Sequence, residues 1–202
     1  MKLLVSNPEK VVFYKFAVVG GLLLALLIGC YRFTLTPLDP PDSDSFDDGD
    51  QGWRISEGGV GGFSATGGYP GGYMAGSDNF DPVNTYWYFI APAPFTNEVR
   101  KGYGKMLRFD LIQSGTDVQR YTDDVILTDG TNTLTFDISY NPNTTWTSYA
   151  IKLDELSGWR KGEGPATKAD MQAMLTNLTE LRIRGEYKSG PDNGGLDNVA
   201  IY

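Results

Sequence analysis

Residues 67–112 constrain the fold of this chain more than any other stretch. Two glycine pairs come first, followed by two aromatic runs with the character of strands. In the second run, Leu107, Phe109 and Leu111 alternate with polar residues such as Arg108. A period of two is typical of a strand with one buried face. The stretch therefore predicts a β protein.

The first aromatic run, residues 86–90, has no polar face. This pattern predicts a strand that is covered on both sides or that lies beside a ligand. Residues 91–94 alternate alanine and proline, and we expect a turn there before the next strand. The preceding segment, residues 57–76, has too many glycines for a regular central strand, so it predicts an ordered loop over one sheet face that contains a short strand at residues 72–75.

Further short strands are expected along the rest of the chain. They alternate with turn sequences such as Asp-Gly, Asn-Pro-Asn and Ser-Gly-Pro. The expected strands are residues 125–128, 133–138, 148–153, 181–187 and 196–202. Many short strands with this punctuation favour an antiparallel β-sandwich.

One helix is predicted, at residues 168–177. Thr167 and Asp170 have the spacing of a capping box, with Asp in place of the more usual Glu. The helix presents one apolar stripe, made of Met171, Met174, Leu175 and Leu178. Such a stripe most often docks a helix onto a sheet.

Several segments resemble the laminin B module (laminin domain IV). They are YFIAPAPF at residues 88–95, GYGKMLRF at residues 102–109, LRIRGEY at residues 181–187 and GLDNV at residues 195–199. The resemblance covers residues 46–202 and implies a galactose-binding-like jelly roll for that domain. Arg182 and Arg184 lie on one face of the third segment, and we interpret them as partners in surface ion pairs.

Residues 1–30 have the pattern of a targeting segment. Lys2, Lys10 and Lys15 precede an uncharged, mostly apolar run that ends in Leu-Ile-Gly-Cys. This run suits a signal peptide whose lipobox would place a lipid on Cys30, the only cysteine. The alternative is an uncleaved transmembrane anchor. Either reading predicts an exported domain held at a membrane, and residues 31–45, rich in Pro and Asp, predict a linker.

Composition excludes several kinds of chemistry. The sequence has no histidine, which removes Ser-His-Asp and Cys-His catalysis and histidine-bound zinc. Its formal charge is −8, and residues 31–202 carry −10, a field that disfavours nucleic acid. Glycoside hydrolysis by paired carboxylates is the one enzymatic route that the composition allows. With 24 acidic residues in residues 31–202, a suitably spaced pair arises by chance, so the chain is predicted not to be an enzyme.

The sequence favours a binding module whose partner is a glycan or an extracellular or cell-surface protein. A structural or assembly module of the cell envelope is the alternative. Sugar sites stack rings on exposed aromatic side chains, and no spacing in the sequence selects one of them. The candidate platforms are Trp87, Trp146, Trp159, Tyr69, Tyr73, Tyr86 and Tyr121.

The resemblance also implies a structural calcium ion where the first and last strands of the domain meet. On that basis Asp47, Asp48 and Asp197 are the expected ligands, with Asp78 as a fourth. Calcium takes about 6–8 oxygen ligands, so carboxylates from distant segments can converge on it. The alternative is that Asp47 and Asp48 belong to a solvated turn and that Asp197 caps a turn.

Overall fold

A computed structural model describes residues 43–78 and 86–202. In this part of the chain, two antiparallel sheets face each other across an apolar core. The strands are β1 (Ser43–Asp44), β2 (Arg54–Ile55), β3 (Val60–Gly68), β4 (Gly71–Asp78), β5 (Tyr88–Ile90), β6 (Met106–Gln113), β7 (Val125–Thr128), β8 (Thr133–Phe136), β9 (Thr147–Lys152), β10 (Arg160–Lys161), β11 (Gly164–Pro165), β12 (Glu180–Arg184) and β13 (Asp192–Ile201). The helices are α1 (Ala93–Val99) and α2 (Lys168–Asn177).

The first sheet has the strand order β3-β4-β13-β6-β9, with β1 paired to β13. The second has the order β11-β10-β8-β7-β12-β5-β2. Leu107, Phe109 and Leu111 of β6 point into the core, as their alternation predicted. The antiparallel β-sandwich of the jelly-roll type that the sequence predicted is confirmed.

Helix α2 begins and ends at the predicted residues. The backbone N–H of Asp170 donates to Thr167 Oγ1 (3.2 Å), and the backbone N–H of Thr167 donates to Asp170 Oδ2 (3.0 Å), which completes the predicted capping box. The apolar stripe of α2, Met171, Met174 and Leu175, is buried in the core together with Leu178.

Three local predictions were wrong. The glycine-rich segment expected to be a loop forms the β3–β4 hairpin at the edge of the first sheet. The turn expected at residues 91–94 opens helix α1, which begins at Ala93 after Pro92. A proline near the first helical position has no N–H to satisfy there, so it starts a helix as readily as it ends one. Finally, Ser43 and Asp44 of the expected linker pair with β13, so the sheet begins before residue 46.

Glycines around Trp87 explain part of the unusual glycine content. The indole ring is fully buried, and a Cβ atom built on Gly76, Gly185 or Gly194 would lie 3.1 Å or less from its atoms. The backbone of three neighbouring segments therefore packs directly on the ring. Only glycine leaves room for this close approach.

The predicted targeting segment at residues 1–30, including Cys30, lies outside the described residues. Within residues 43–78 and 86–202, neither helix has the length and apolar character needed to cross a bilayer.

Candidate functional site

An open cleft of about 660 Å³ lies where two loops meet at one end of the sandwich. Residues 114–124 join β6 to β7, and residues 137–146 join β8 to β9. The two loops are tied together because Asn141 Nδ2 donates to Gln119 Oε1 at 2.8 Å. The volume falls within the ~300–1,000 Å³ typical of small-molecule sites.

Two exposed tyrosines border this cleft, which we call the tyrosine cleft. Tyr121 is 81% exposed and Tyr140 is 56% exposed, and both line it. Tyr140 is held in place because its ring stacks on that of Tyr149, with centroids 5.1 Å apart and planes at 28°. The Tyr140 hydroxyl also donates to the carbonyl of Ser148 (3.2 Å). The cleft therefore offers at least one aromatic face of fixed orientation.

Carboxylates and a guanidinium form one wall of the tyrosine cleft. Arg160 Nη2 lies 3.0 Å from Asp123 Oδ1 and 2.8 Å from Asp137 Oδ2, and all three side chains are partly exposed. Each carboxylate has lone pairs beyond those that one guanidinium nitrogen can engage. The wall can therefore accept hydrogen bonds from the hydroxyl groups of a ligand.

The floor of the tyrosine cleft contains a buried ion pair. Arg184 Nε lies 3.3 Å from Asp124 Oδ1, and the two side chains are only 1% and 5% exposed. The Arg184 guanidinium also lies over the ring of Tyr187, 3.8 Å from its centroid. Burial raises the pKa of Asp124, and the charge of Arg184 opposes that rise. The interpretation of Arg184 as a surface ion-pair residue was wrong, because the loops that form the cleft cover it.

Arg184 also positions the rim of the cleft. Its Nη1 donates to the carbonyl of Thr122 (2.9 Å) and its Nη2 to that of Arg120 (3.3 Å), on either side of the exposed Tyr121. Arg182, two residues earlier, does form the expected surface pair with Glu180. The two arginines lie on the same strand, but only Arg184 is covered by the loops, so only Arg184 is buried.

Two of the seven aromatic platforms predicted from the sequence are not available to a ligand. Trp87 and Trp159 are fully buried in the core. Tyr73 and Trp146 pack edge to face against each other, with centroids 5.4 Å apart. Tyr69 is exposed at the tip of the β3–β4 hairpin.

Tyr86 lies outside the tyrosine cleft, partly exposed and beneath the guanidinium of Arg120, 5.3 Å from the ring centroid. Tyr121 is the one predicted platform that lines the cleft. Sequence reasoning missed Tyr140. Its only signal was its position between two turn residues, Ser139 and Asn141.

Two of the four predicted calcium ligands lie together at the tip of the β3–β4 hairpin. The carboxylate of Asp47 lies against Gly71, and that of Asp197 lies against Gly68, the residue that pairs with Gly71 across the hairpin. On the neighbouring strand, Asp110 pairs in register with Asp197. We call Asp47, Asp110 and Asp197 the carboxylate seam.

The carboxylate seam brings the exposed Asp47 together with two buried carboxylates, those of Asp110 and Asp197. Asp197 is fully buried and accepts hydrogen bonds from the backbone N–H groups of Tyr69 (2.5 Å) and Asn198 (2.7 Å). Burial raises the pKa of Asp197 to about 6, and the charges of Asp110 and Asp47 add to the rise. In residues 43–78 and 86–202, no lysine or arginine forms an ion pair with Asp110 or Asp197.

The other two predicted ligands lie elsewhere. Asp48 is exposed in the turn after β1. Asp78 accepts a hydrogen bond from the backbone N–H of Asp192 (2.7 Å), five residues before Asp197 on β13, which is about 17 Å along an extended strand. Among the described residues, no group of three acidic or cysteine side chains is arranged to hold a metal ion. The calcium site stays a prediction.

The family model of Laminin B (Domain IV) matches residues 88–201, which is more than half of the chain. The chain belongs to the laminin B family. Its laminin B domain is 32% identical over 133 residues to laminin subunit gamma-1 of Homo sapiens and 30% identical over 132 residues to that of Xenopus tropicalis. Each match covers 62% of this chain, but the chain spans only 8% of each relative.

Two solved structures share the fold of the laminin B domain. The L4b domain of human laminin alpha-2 matches with a TM-score of 0.53 and 15% identity, over 63% of this chain and 77% of that one. A family 11 carbohydrate-binding module from Clostridium thermocellum, in complex with a β-1,3-1,4-mixed-linked tetrasaccharide, matches with a TM-score of 0.51 and 15% identity, over 79% and 93%. At these identities the likeness establishes the fold alone.

Proposed function

We propose that this laminin B domain is a non-catalytic binding module that recognises glycans outside the cytoplasm through the tyrosine cleft. The observation that carries the proposal is the pair of exposed tyrosines, Tyr121 and Tyr140, beside the acceptor groups of Asp123 and Asp137. A pyranose ring has an apolar face that stacks on an aromatic ring and hydroxyl groups that need polar partners. The cleft offers both.

The arrangement of the acidic wall favours binding over hydrolysis. A carboxylate-based glycosidase needs one carboxyl group that gives up a proton and a second that acts as base or nucleophile. In the tyrosine cleft, Asp123 and Asp137 both accept from the same guanidinium nitrogen of Arg160. The two carboxylates share one partner and are both partly exposed, so their geometry does not assign them two different roles.

Alanine in place of Tyr121 or Tyr140 is expected to weaken glycan binding by roughly three- to tenfold, because a stacked aromatic contact contributes ~0.5–1.5 kcal/mol. The measurement is a titration, by calorimetry, of a glycan first identified on a printed array. Tyr103→Ala is the matched control, because Tyr103 is also exposed but hydrogen-bonds Glu155 away from the cleft. Binding that survives both cleft substitutions would contradict the proposal. An array with no bound glycan would instead favour the assembly alternative.

The proposal includes a structural calcium ion at the carboxylate seam. Asp47 and Asp197 would supply carboxylate oxygens, and the carbonyl of Phe46, which lies against Gly72, is a further donor nearby. The ion would neutralise buried charge that is otherwise balanced only by hydrogen bonds. It would also hold the hairpin tip against β13.

Calcium at a concentration 100 times its Kd is expected to stabilise the chelated protein by ~2.7 kcal/mol, or about 5–10 °C in Tm. The rise should be larger at pH 7.5 than at pH 5, because Asp197, with its pKa raised to about 6, is protonated at the lower pH and cannot act as a ligand. Differential scanning fluorimetry measures both. Asp197→Asn should lose the response, whereas Glu163→Gln, an exposed charge in the β10–β11 turn, should keep it. An equal Tm with and without millimolar calcium would refute the site.

The final part of the proposal is that residues 1–30 export the domain and hold it at a membrane, with Cys30 as the acylated residue. The mass of the mature N-terminal peptide tests this. A diacyl or triacyl modification of Cys30 is the expected result, and an intact Met1 peptide would favour an uncleaved anchor.

A further inference from the structure

The charges of the tyrosine cleft are paired internally. Within the described part of the chain, the cations that line it are Arg160 and Arg184. Arg160 is shared between Asp123 and Asp137, and Arg184 is buried against Asp124. The lining residues thus sum to one negative charge, and the charge of each guanidinium is already offset by carboxylates of the cleft.

The net charge of the rest of the chain beyond residue 30 is also negative. Residues 31–202 carry a formal charge of −10. An anionic glycan would therefore meet both long-range repulsion and an acidic wall without a free cation. An uncharged glycan pays neither penalty.

A second depression, of about 440 Å³, adjoins the tyrosine cleft at Tyr140. Tyr140 lines both of them. The second depression lies over β6, β9 and β13, where Arg108, Asp110 and Asn198 offer hydrogen-bonding groups and Tyr202 is 49% exposed. Arg108 contributes one positive charge and Asp110 one negative charge to this depression, so its lining is neutral overall. The Arg108 guanidinium lies 4.7 Å from the centroid of the Tyr202 ring. This depression also offers polar groups beside an aromatic ring.

We infer that the ligand is an uncharged, linear glycan of several sugar units that crosses Tyr140 and occupies both depressions. This inference rests on the proposed glycan function of the tyrosine cleft. Tyr140 is the central contact, because stacking on Tyr149 fixes its ring between the two binding surfaces. A ligand limited to one sugar would leave the second depression unused.

The test uses the full chain and a printed array of oligosaccharides of two to six units. Neutral members are paired with uronate- or sulfate-bearing members of equal length. The expected result is binding to neutral members only, with an affinity at least tenfold higher for six units than for two. Acidic preference, or an affinity independent of length, would overturn the inference.

Two variants separate the depressions. Tyr202→Ala is expected to weaken binding of the six-unit ligand by roughly three- to tenfold and to leave the two-unit ligand unchanged, whereas Tyr140→Ala weakens both. An unchanged six-unit affinity in Tyr202→Ala would overturn the extended site, provided that its melting curve matches that of the parent. Loss of length dependence with retained sensitivity to Tyr121→Ala defeats this inference but keeps the proposed function. Absence of any bound glycan defeats both.

Discussion

Replacing Arg184 by methionine is expected to lower the free energy of unfolding by about 3–5 kcal/mol, because the substitution leaves a buried carboxylate without its partner. Arg184 and Asp124 are 1% and 5% exposed, and the guanidinium lies 3.3 Å from the carboxylate. Methionine keeps the volume of the aliphatic stem over Tyr187 but not the charge or the donors to Thr122 and Arg120. Chemical denaturation monitored by tryptophan fluorescence measures the loss.

The deficit in Arg184→Met should depend on pH. Burial raises the pKa of Asp124 above its ordinary value, and loss of Arg184 removes the charge that opposes this rise. A carboxyl group with a raised pKa in the folded state destabilises the protein increasingly as pH rises from its unfolded pKa through its folded one. The variant should therefore recover part of its stability as the pH is lowered from 7 towards 4.

Two further variants test the cause. Arg182→Met removes an arginine whose ion pair with Glu180 is partly exposed, and it is expected to cost no more than about 1 kcal/mol. Arg184→Met combined with Asp124→Leu removes both charges and should regain much of the lost stability. An equal loss in Arg182→Met, or no recovery in the double variant, would show that the buried pair does not account for the effect.

The sequence predicted correctly those elements whose secondary structure follows from the local spacing of their own apolar and capping residues. Strand β6 follows from the alternation of Leu107, Phe109 and Leu111, and helix α2 from its capping box and apolar stripe. In both cases burial of one face follows directly from the spacing of apolar residues. Strand β6 lies between β13 and β9 in the first sheet, and α2 contributes Met171, Met174 and Leu175 to the core.

The elements that were missed depend on contacts distant in sequence. The glycine-rich β3–β4 hairpin is a strand pair because it adds to β13, a partner more than one hundred residues away. The burial of Arg184 depends on the loop before β7, and nothing in the local pattern separates it from Arg182. Local spacing describes one face of one element, and it carries no information on what covers that face.

The candidate site divides in the same way. The meeting of Asp47 and Asp197 was expected from the resemblance to a family, and the structure brings these two side chains to one hairpin tip. The tyrosine cleft was not expected, because two loops that are distant in sequence form it together with residues of β10 and β12. Tyr121 and Tyr140 are identical in residue type to buried tyrosines such as Tyr187, so only the structure separates a platform from a core residue.

Alanine in place of Gly185 is expected to cost about 3 kcal/mol or more, at the upper end of the range for overpacked cores. A Cβ atom at this position would lie 1.9 Å from Cζ3 of Trp87, and the backbone N–H of Gly185 already donates to the carbonyl of Trp87 at 3.0 Å. Neither group can move away freely, because the indole ring is fully buried and also packs edge to face on Phe89. Thermal and urea denaturation of Gly185→Ala measure the loss.

The control for this prediction is Gly164→Ala, because a Cβ at Gly164 would meet no atom within 4 Å. That change should alter stability by no more than about 0.5 kcal/mol. Trp87→Leu makes room for the new methyl group at the cost of a cavity, so Gly185→Ala should be much less damaging in a Trp87→Leu background than in the parent. If Gly185→Ala costs the same in both backgrounds, the clash with Trp87 is not the reason for glycine at this position. A smaller loss in the Trp87→Leu background would show that the indole ring of Trp87 and the glycine at position 185 pack as one unit. Close packing of backbone on this ring would then account for part of the glycine content of the domain.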